Sequence, residues 1–254
     1  VFDALNAGAV DFVAKPAYSD RKMLEEFILK ELPVKIKIAS TAKIGNLKKT
    51  VVPTLTENIS VEKKDLIVAI GASTGGTEAI ATILKEFGTD IPGVVVVQHM
   101  PAGFTASLAE RLNTLCELTV KEAAEGDVLE AGNVYIAMGG KHLNIRPSGG
   151  RHVVNYSDEA PREGVKPCAN YMYESLAECR YDMVLCTVLT GMGADGTKGI
   201  THLKTKKKIH VIAQNEESCA VYGMPKNIVN AGLADQVVPL EQIAQEIIMN
   251  VGVM

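Results

Sequence analysis

The sequence predicts an α/β protein with a doubly wound, mostly parallel sheet of the three-layer, Rossmann-like type. Short apolar runs, such as residues 66–70, 94–97 and 183–189, alternate with stretches of helical periodicity, which is typical of a parallel sheet covered by helices. The run at 183–189 is almost continuously apolar, as in a central strand buried on both faces. Between residues 118 and 155, short strands separated by Gly-Gly pairs predict a small antiparallel hairpin region.

The composition limits the class of protein. With 254 residues, 47% of them hydrophobic, the chain can form one large domain and an appendage. A net charge of −4 gives no electrostatic reason to expect nucleic-acid binding. Five cysteines without a Cys-x-x-Cys pair predict buried thiols in a reducing compartment rather than disulfides or a zinc site. No apolar run approaches the roughly 20 residues that cross a bilayer, and no signal peptide is visible, so we expect a soluble, cytoplasmic protein without membrane insertion.

The first 16 residues predict the end of a helix, capped by Gly8, and a short strand at 11–14. Because the chain opens at Val1 rather than a methionine, we expect a fragment or processed form of a longer protein. Residues 7–16, Ala-Gly-Ala-Val-Asp-Phe-Val-Ala-Lys-Pro, resemble the last strand of response-regulator receiver domains, with a following helix at 20–32. The resemblance implies that Lys15 is the lysine that contacts the phosphoryl group. The alternative is a plain amphipathic helix–strand piece at a domain edge.

The next segment, residues 33–64, combines scattered lysines with little periodicity, which predicts a basic, solvated linker. The predicted domains are therefore a receiver fragment at 1–32, the linker at 33–64 and a catalytic domain at 65–254. In the catalytic domain we expect strands at 66–70, 94–97, 118–121, 134–137, 143–145, 153–155, 183–189, 209–213 and 237–238. We expect helices up to about 87 and at 104–116, 167–179, 197–203, 217–222, 225–231 and 240–250.

Residues 71–75, Gly-Ala-Ser-Thr-Gly, fit the Gly-x-Ser-x-Gly nucleophile elbow. Glycines on both sides of Ser73 allow the sharp strand-to-helix turn that exposes a serine hydroxyl. Two other interpretations are a phosphate-binding turn for a dinucleotide and a serine that only caps the helix. The dinucleotide interpretation expects an acidic residue at the end of the next strand, about 20 residues on. Gln98 and His99 stand there instead, which weakens it.

Three polar residues follow apolar strands within a few positions: Ser73, His99 and Asp195. Because ligands bind at the carboxyl ends of parallel strands, we expect these side chains to meet at one edge of the sheet. A serine needs a base at neutral pH, an imidazole titrates in the right range, and a carboxylate fixes its tautomer. This predicts a Ser-His-Asp site, although the order along the chain differs from that of the α/β-hydrolases.

Simpler roles remain open for these residues. His99 can be a hydrogen-bonded histidine at the sheet edge, Asp195 can be a helix cap, and His142, after a Gly-Gly turn, is the rival base. Gly191 and Gly193 predict a loop whose backbone approaches the substrate. Candidate oxyanion donors are the backbone amides of Met192 and Thr74. No residues have metal-ligand spacing, so we expect neither a metal nor another cofactor.

Four motifs, at residues 71–76, 98–101, 190–196 and 213–225, together resemble the chemotaxis protein-glutamate methylesterases, in the family's order and over about residue 65 to the end. The receiver tail and linker are similar too, since these enzymes look like response regulators with a C-terminal esterase. The resemblance implies Ser73 as nucleophile, His99 as base, Asp195 as its orienting acid and the Met192 amide as an oxyanion donor. The implied substrates are glutamate γ-methyl esters on methyl-accepting chemotaxis receptors, with methanol as product, and receptor glutamines.

The chain departs from the family pattern at residues 165–170, Val-Lys-Pro-Cys-Ala-Asn, where the family often has Arg-Pro-Ser-Val-Asp, and at Met138, commonly a proline. We expect these positions at the cleft, where they affect receptor choice and rate. The resemblance also implies regulation by the chemotaxis histidine kinase, because the family's receiver covers the active site until it is phosphorylated. Since most of the receiver is absent here, we expect this chain to be more active than the full protein. Alternatives are a receptor-glutamine deamidase and a non-catalytic docking module.

Overall fold

The structure is a computed structural model that describes residues 1, 4, 7, 9–13, 24–25, 27–42 and 65–253. The strands with described bounds are β1 (Leu66–Ala72), β2 (Val94–Gln98), β3 (Thr119–Glu122), β4 (Asn133–Ile136), β5 (His142–Ser148), β6 (Arg151–Ser157), β7 (Met183–Val188), β8 (Ile209–Gln214) and β9 (Gln236–Val238). The α-helices with described bounds are α1 (Leu32–Thr41), α2 (Gly76–Leu84), α3 (Phe104–Leu115), α4 (Ala169–Ser175), α5 (Thr197–Lys204), α6 (Met224–Asn230) and α7 (Leu240–Val251). None of the described helices is long and apolar enough to cross a membrane.

Seven strands form a parallel sheet in the order β3-β4-β2-β1-β7-β8-β9. The chain builds outward from β1 to one side through β2 and then to the other side through β7, so the strand order reverses at β1 and β7. Ala72 at the end of β1 lies beside Gln98 at the end of β2, and Gly71 lies beside Val188 of β7. These carboxyl ends are therefore level with one another, and in open α/β sheets such a switch point holds the ligand site.

Successive side chains of β1 point to opposite faces of the sheet and belong to two separate apolar cores. Val68 and Ile70 face α2, α3 and α7, whereas Ile67 and Ala69 face α4, α5, α6 and the hairpin. All four side chains are at most 1% exposed, as expected of a central strand. The resulting three layers confirm the predicted fold class.

The small antiparallel sheet is the hairpin β5–β6. It packs on α4, where the Ser175 hydroxyl accepts a hydrogen bond of 2.8 Å from the Ile145 amide. The other two short strands of this region, β3 and β4, instead extend the parallel sheet at one edge.

One helix expected from the sequence is absent in the described structure: residues 217–222 form a turn and irregular backbone, and Tyr222 pairs with Gly191 in an isolated parallel bridge. Val221 bonds to the loop after β7 instead, since the Gly191 amide donates to Val221 O at 2.9 Å. The Val221 amide in turn donates to the Thr190 hydroxyl at 3.0 Å. Partners from a distant loop replace the bonds between residues four apart that a helix would need.

The N-terminal region differs from the expected helix and linker. A π-helical turn at Phe27–Glu31 leads directly into α1, so helical structure continues to Thr41, inside the segment expected as linker. Residues 11–13, of the strand expected at 11–14, are not assigned to a strand. Residues 43–64 and Lys15 lie outside the described residues. The three domain boundaries remain predictions.

Candidate active site

Ser73, His99 and Asp195 lie at the same edge of the parallel sheet. Ser73 directly follows β1, His99 directly follows β2, and Asp195 lies in the loop after β7. Backbone bonds join these strand ends: the His99 amide donates to Ala72 O, and the Ser73 amide donates to Thr190 O, both at 3.0 Å. The level ends of neighbouring parallel strands thus bring the predicted residues to one place.

His99 and Asp195 form a direct pair. The distance between His99 Nε2 and Asp195 Oδ2 is 2.6 Å, and the two side chains are 10% and 3% exposed. The pair leaves Nδ1 of His99 as the nitrogen that can exchange a proton with a nucleophile. Among the described residues no hydrogen bond joins the half-buried Ser73 to His99. Such bonds often form only with substrate bound, so the nucleophilic role of Ser73 stays a prediction.

The Asp195 carboxylate is held by donors from two further segments of backbone. Its Oδ2 accepts the Ala169 amide at 2.6 Å, and its Oδ1 accepts the amides of Asn170 at 2.9 Å and Gly196 at 2.8 Å. The Cys168 thiol also lies 3.0 Å from Oδ1. Sequence reasoning identified residues 165–170 only as a departure from the family pattern and did not find these contacts.

These contacts keep Asp195 ionised. Burial alone would raise the pKa of the Asp195 carboxyl, but hydrogen bonds from His99, Cys168 and Ala169 and the charge of His99 together bring it below its ordinary value. A carboxylate that stays negative at neutral pH can orient the imidazole and stabilise an imidazolium.

The turn that carries Ser73 requires its glycines. Gly75 has φ +79°, a left-handed conformation, and a Cβ there would lie 2.7 Å from Ala220 Cβ. A Cβ on Gly76 would lie 2.2 Å from the buried amide of Gln98. That amide donates to Ser73 O at 2.9 Å, so Gln98 ties the elbow to the end of β2. A glutamine closing an apolar strand is the sequence signal that could have identified it.

The loop after β7 passes very close to Ser73. A Cβ on Gly191 would lie 2.5 Å from Ser73 Cβ and 2.6 Å from Met224 Sδ. Gly191 O accepts the amides of Gly223 and Met224 at 3.0 and 2.7 Å, which fixes the loop on the start of α6. Among the described residues, the Met192 amide has no backbone acceptor. It is therefore available to an oxyanion, as is required of a candidate donor.

Thr74, the second candidate oxyanion residue, contacts the N-terminal segment. Its hydroxyl donates to Asp11 Oδ2 at 2.9 Å, and Lys35 Nζ lies 2.5 Å from the same oxygen. The ring of Phe12 stacks on Phe104 with centroids 4.8 Å apart. Residues 11–12 therefore lie against the edge of the sheet that carries the candidate site.

His142, the alternative base, contacts Ala160 and Tyr171 rather than Asp195. It is fully buried, its Nε2 lies 3.1 Å from Ala160 O, and its ring stacks on Tyr171 with centroids 4.3 Å apart. Burial lowers its pKa. In the described part of the chain His99, not His142, is the histidine bonded to Asp195.

Two further expectations from the sequence concern Met138 and metal binding. Met138, at a position where the family pattern has proline, donates its amide to the Tyr156 hydroxyl at 2.9 Å. Among the described residues there is no group of three or more His, Cys, Asp or Glu side chains that could hold a metal ion.

Comparison with known proteins agrees with the resemblance. The family model described as CheB methylesterase matches residues 68–247. Similar proteins include the protein-glutamate methylesterase/protein-glutamine glutaminase of Syntrophotalea carbinolica. The two sequences are 44% identical, and the match covers 97% of this chain and 71% of the length of that protein. The Geobacillus kaustophilus protein of that name is 41% identical over 98% of this chain and 72% of its own.

A solved structure supports the same conclusion. The Thermotoga maritima CheB methylesterase catalytic domain is 40% identical, with a TM-score of 0.70, and the match covers 75% of this chain and 100% of that domain. The chain therefore belongs to the CheB methylesterase family.

Proposed function

We propose that this chain hydrolyses glutamate γ-methyl esters on methyl-accepting chemotaxis receptors, with methanol as product, by a Ser73-His99-Asp195 mechanism. The observation that carries the proposal is the 2.6 Å bond between His99 and Asp195, at the sheet edge where the elbow presents Ser73. Related proteins named protein-glutamate methylesterase support the substrate class. The reaction belongs in the cytoplasm, on the cytoplasmic helices of the receptor.

The chemistry proceeds through an acyl-enzyme. Ser73 Oγ attacks the ester carbonyl carbon while His99 Nδ1 takes the hydroxyl proton. The imidazolium then gives that proton to the leaving methoxide, which departs as methanol. Water attacks the acyl group in the same way, and the products are free glutamate and the original serine.

Two parts of the site stabilise charge that develops during the reaction. Asp195 stabilises the imidazolium through its bond to His99 Nε2. The amides of Met192 and Thr74 donate to the oxyanion. Removing one such donor typically costs about 10²–10³ in kcat.

A second candidate reaction is deamidation of receptor glutamines, in which ammonia replaces methanol as the leaving group. The names of the related proteins include protein-glutamine glutaminase, which favours it. The same attack by Ser73 serves both reactions. The chemotaxis histidine kinase is the proposed partner of the complete receiver.

The test is methanol release from a methyl-labelled cytoplasmic receptor fragment, with the wild-type chain and Ser73→Ala compared side by side. We expect release by the wild type and its loss in the variant. Ammonia is measured in parallel on a receptor fragment that carries glutamine at the same positions. A folded wild-type chain that releases no methanol, or a Ser73→Ala chain that releases as much, contradicts the proposal.

A further inference from the structure

Cys168 carries a buried thiol that contacts Asp195 but has no part in the proposed mechanism. It is 0% exposed and directly precedes α4. Its Sγ lies 3.0 Å from Asp195 Oδ1, close for a hydrogen bond that involves sulfur. In the described part of the chain, Cys168 and His99 are the two side chains that bond to this carboxylate.

The thiol can act toward Asp195 only as a donor. Burial, together with the neighbouring carboxylate, raises the pKa of Cys168 to about 12, so the thiol keeps its proton at neutral pH. A carboxylate has only acceptor atoms to offer to an S–H group. The proton of the contact therefore lies on sulfur.

The backbone directs the Cys168 side chain toward Asp195. Cys168 has extended dihedrals, φ −121° and ψ 127°, and its side chain makes no capping hydrogen bond at the start of α4. The carboxylate of Asp195 instead accepts the first amides of that helix, from Ala169 and Asn170. Asp195 thus caps α4 in place of Cys168, and the Cys168 thiol contacts the capping carboxylate.

We propose that Cys168 is a positioning residue for the reaction, whose thiol holds Oδ1 so that Oδ2 of Asp195 faces His99. Donors on Oδ1 fix the rotation of the carboxylate about its Cβ–Cγ bond. Loss of the thiol leaves the carboxylate freer to turn, which weakens its bond to His99. The inference rests on the proposed function, since it assigns this bond a role in ester hydrolysis.

Other ionisable groups near the carboxylate do not replace the thiol. The charge of Asp195 acts on His142 and Tyr173, and the charge of Arg162 acts on Cys168. Tyr173 donates its hydroxyl to Thr187 O at 2.9 Å. Within the described residues these groups make no hydrogen bond to the carboxylate.

The test compares Cys168→Ala and Cys168→Ser with the same changes at Cys179. Cys179 is also buried, at 1% exposure, but its sulfur lies near backbone oxygens of Ile145 and Ser175, at 3.8 and 3.7 Å. We expect Cys168→Ala to lower kcat for methanol release by about ten-fold with little change in KM, the scale of one bond to a charged group. Cys168→Ser keeps a donor and should recover most of kcat, and both Cys179 variants should stay within about two-fold of wild type.

Two readouts separate positioning from a general loss of stability. In Cys168→Ala the acid limb of the kcat profile should move to lower pH, because a weaker bond to Asp195 stabilises the imidazolium less. The downfield proton resonance of the His99–Asp195 bond, assigned by its loss in His99→Asn, should move upfield. Cys179→Ala should change neither readout. If Cys168→Ala does not fold, Cys168→Val fills the space without a donor and takes its place.

The proton resonance needs no substrate, so it tests Cys168 even if the wild type releases no methanol. An unchanged resonance in Cys168→Ala overturns the inference. So does a Cys168→Ser variant as impaired as Cys168→Ala, or a Cys179→Ala variant with the same losses. Failure of methanol release with a shifted resonance contradicts the proposed function and leaves the positioning role supported.

Discussion

Asp195 accepts more hydrogen bonds than any other described residue of the site. Its oxygens bond to His99, to the Cys168 thiol and to the amides of Ala169, Asn170 and Gly196. A buried charge is costly unless such partners replace water. The same contacts that offset this cost also set the orientation in which the carboxylate meets the imidazole.

The stability of the protein should reflect this carboxylate in acid. Because the folded pKa of Asp195 lies below its ordinary value of 3.8, ionised Asp195 stabilises the fold above about pH 4. That contribution is lost as the pH falls through the folded pKa. Asp195→Asn should therefore lower the free energy of unfolding at pH 7, with a difference from wild type that shrinks below about pH 4.

Urea unfolding of both chains between pH 7 and pH 3 measures this difference. Asp182→Asn, a change in an exposed carboxylate at the opposite edge of the sheet, is the control. A wild-type advantage over Asp195→Asn that grows on acidification would refute the assigned direction of the pKa.

Gly191 should tolerate no side chain. In Gly191→Ala the new Cβ would meet Ser73 Cβ at 2.5 Å, and both atoms are attached to backbone that cannot yield cheaply. Displacing Ser73 by about 1 Å should lower kcat by about 100-fold. Steady-state methanol release, with thermal unfolding to verify the fold, measures the effect.

The comparison for Gly191→Ala is Gly193→Ala in the same loop. A Cβ on Gly193 meets no atom within 4 Å, although its φ of +90° adds backbone strain of about 1–2 kcal/mol. Gly193→Ala should thus lose stability but keep more activity than Gly191→Ala. The reverse ranking of kcat would mean that contact with Ser73 does not matter.

At the scale of elements, α6 holds the loop after β7 in place. Asn227 on α6 donates from Nδ2 to Gly193 O at 2.9 Å and to Gly223 O at 3.0 Å. Asn227→Ala should loosen the loop that carries the Met192 amide and lower kcat by about three- to ten-fold, the scale of one hydrogen bond. Asn230→Ala, an exposed position at the end of the same helix, is the control for the kinetic measurement. Equal kcat values for the two variants would exclude this role.

The contact between Asp11 and the elbow at residues 71–75 should restrain the activity. Asp11, which also pairs with Lys35, brings a carboxylate to the Thr74 hydroxyl, beside the amide proposed for the oxyanion. Without this carboxylate the positive charge of Lys35 is no longer offset, which favours an oxyanion nearby. Asp11→Ala should therefore raise kcat/KM by about two- to five-fold. Glu86→Ala removes an exposed carboxylate beyond the far end of α2 and should change nothing. Activity that falls in Asp11→Ala would contradict the restraint.

At the scale of the whole molecule, the reversal of strand order at β1 and β7 places the site. Neighbouring elements run away from this point in both directions, so the carboxyl ends of β1, β2 and β7 remain open between the covering helices. Two separate apolar cores, one on each face, hold these ends level. Three loops of one sheet carry Ser73, His99 and Asp195, and the start of α4 supplies further donors to Asp195.

Much of the fold could be predicted because burial on both faces leaves a strong pattern. The expected strand at 183–189 matches β7 (Met183–Val188), and the expected helix at 240–250 matches α7 (Leu240–Val251). The helix expected at 217–222 was wrong, because its backbone partners lie on the loop after β7. Local periodicity cannot detect partners that come from about 30 residues away.

The parallel sheet, the glycine-dependent elbow and the order in which Ser73, His99 and Asp195 follow their strands can all be predicted from the sequence. Those features depend on residue types and short spacings. Only the packed chain shows that His99 rather than His142 bonds to Asp195, and that the Cys168 thiol contacts the carboxylate. These contacts join residues 96 and 27 positions apart, so they depend on strand register and helix packing, which no local pattern encodes.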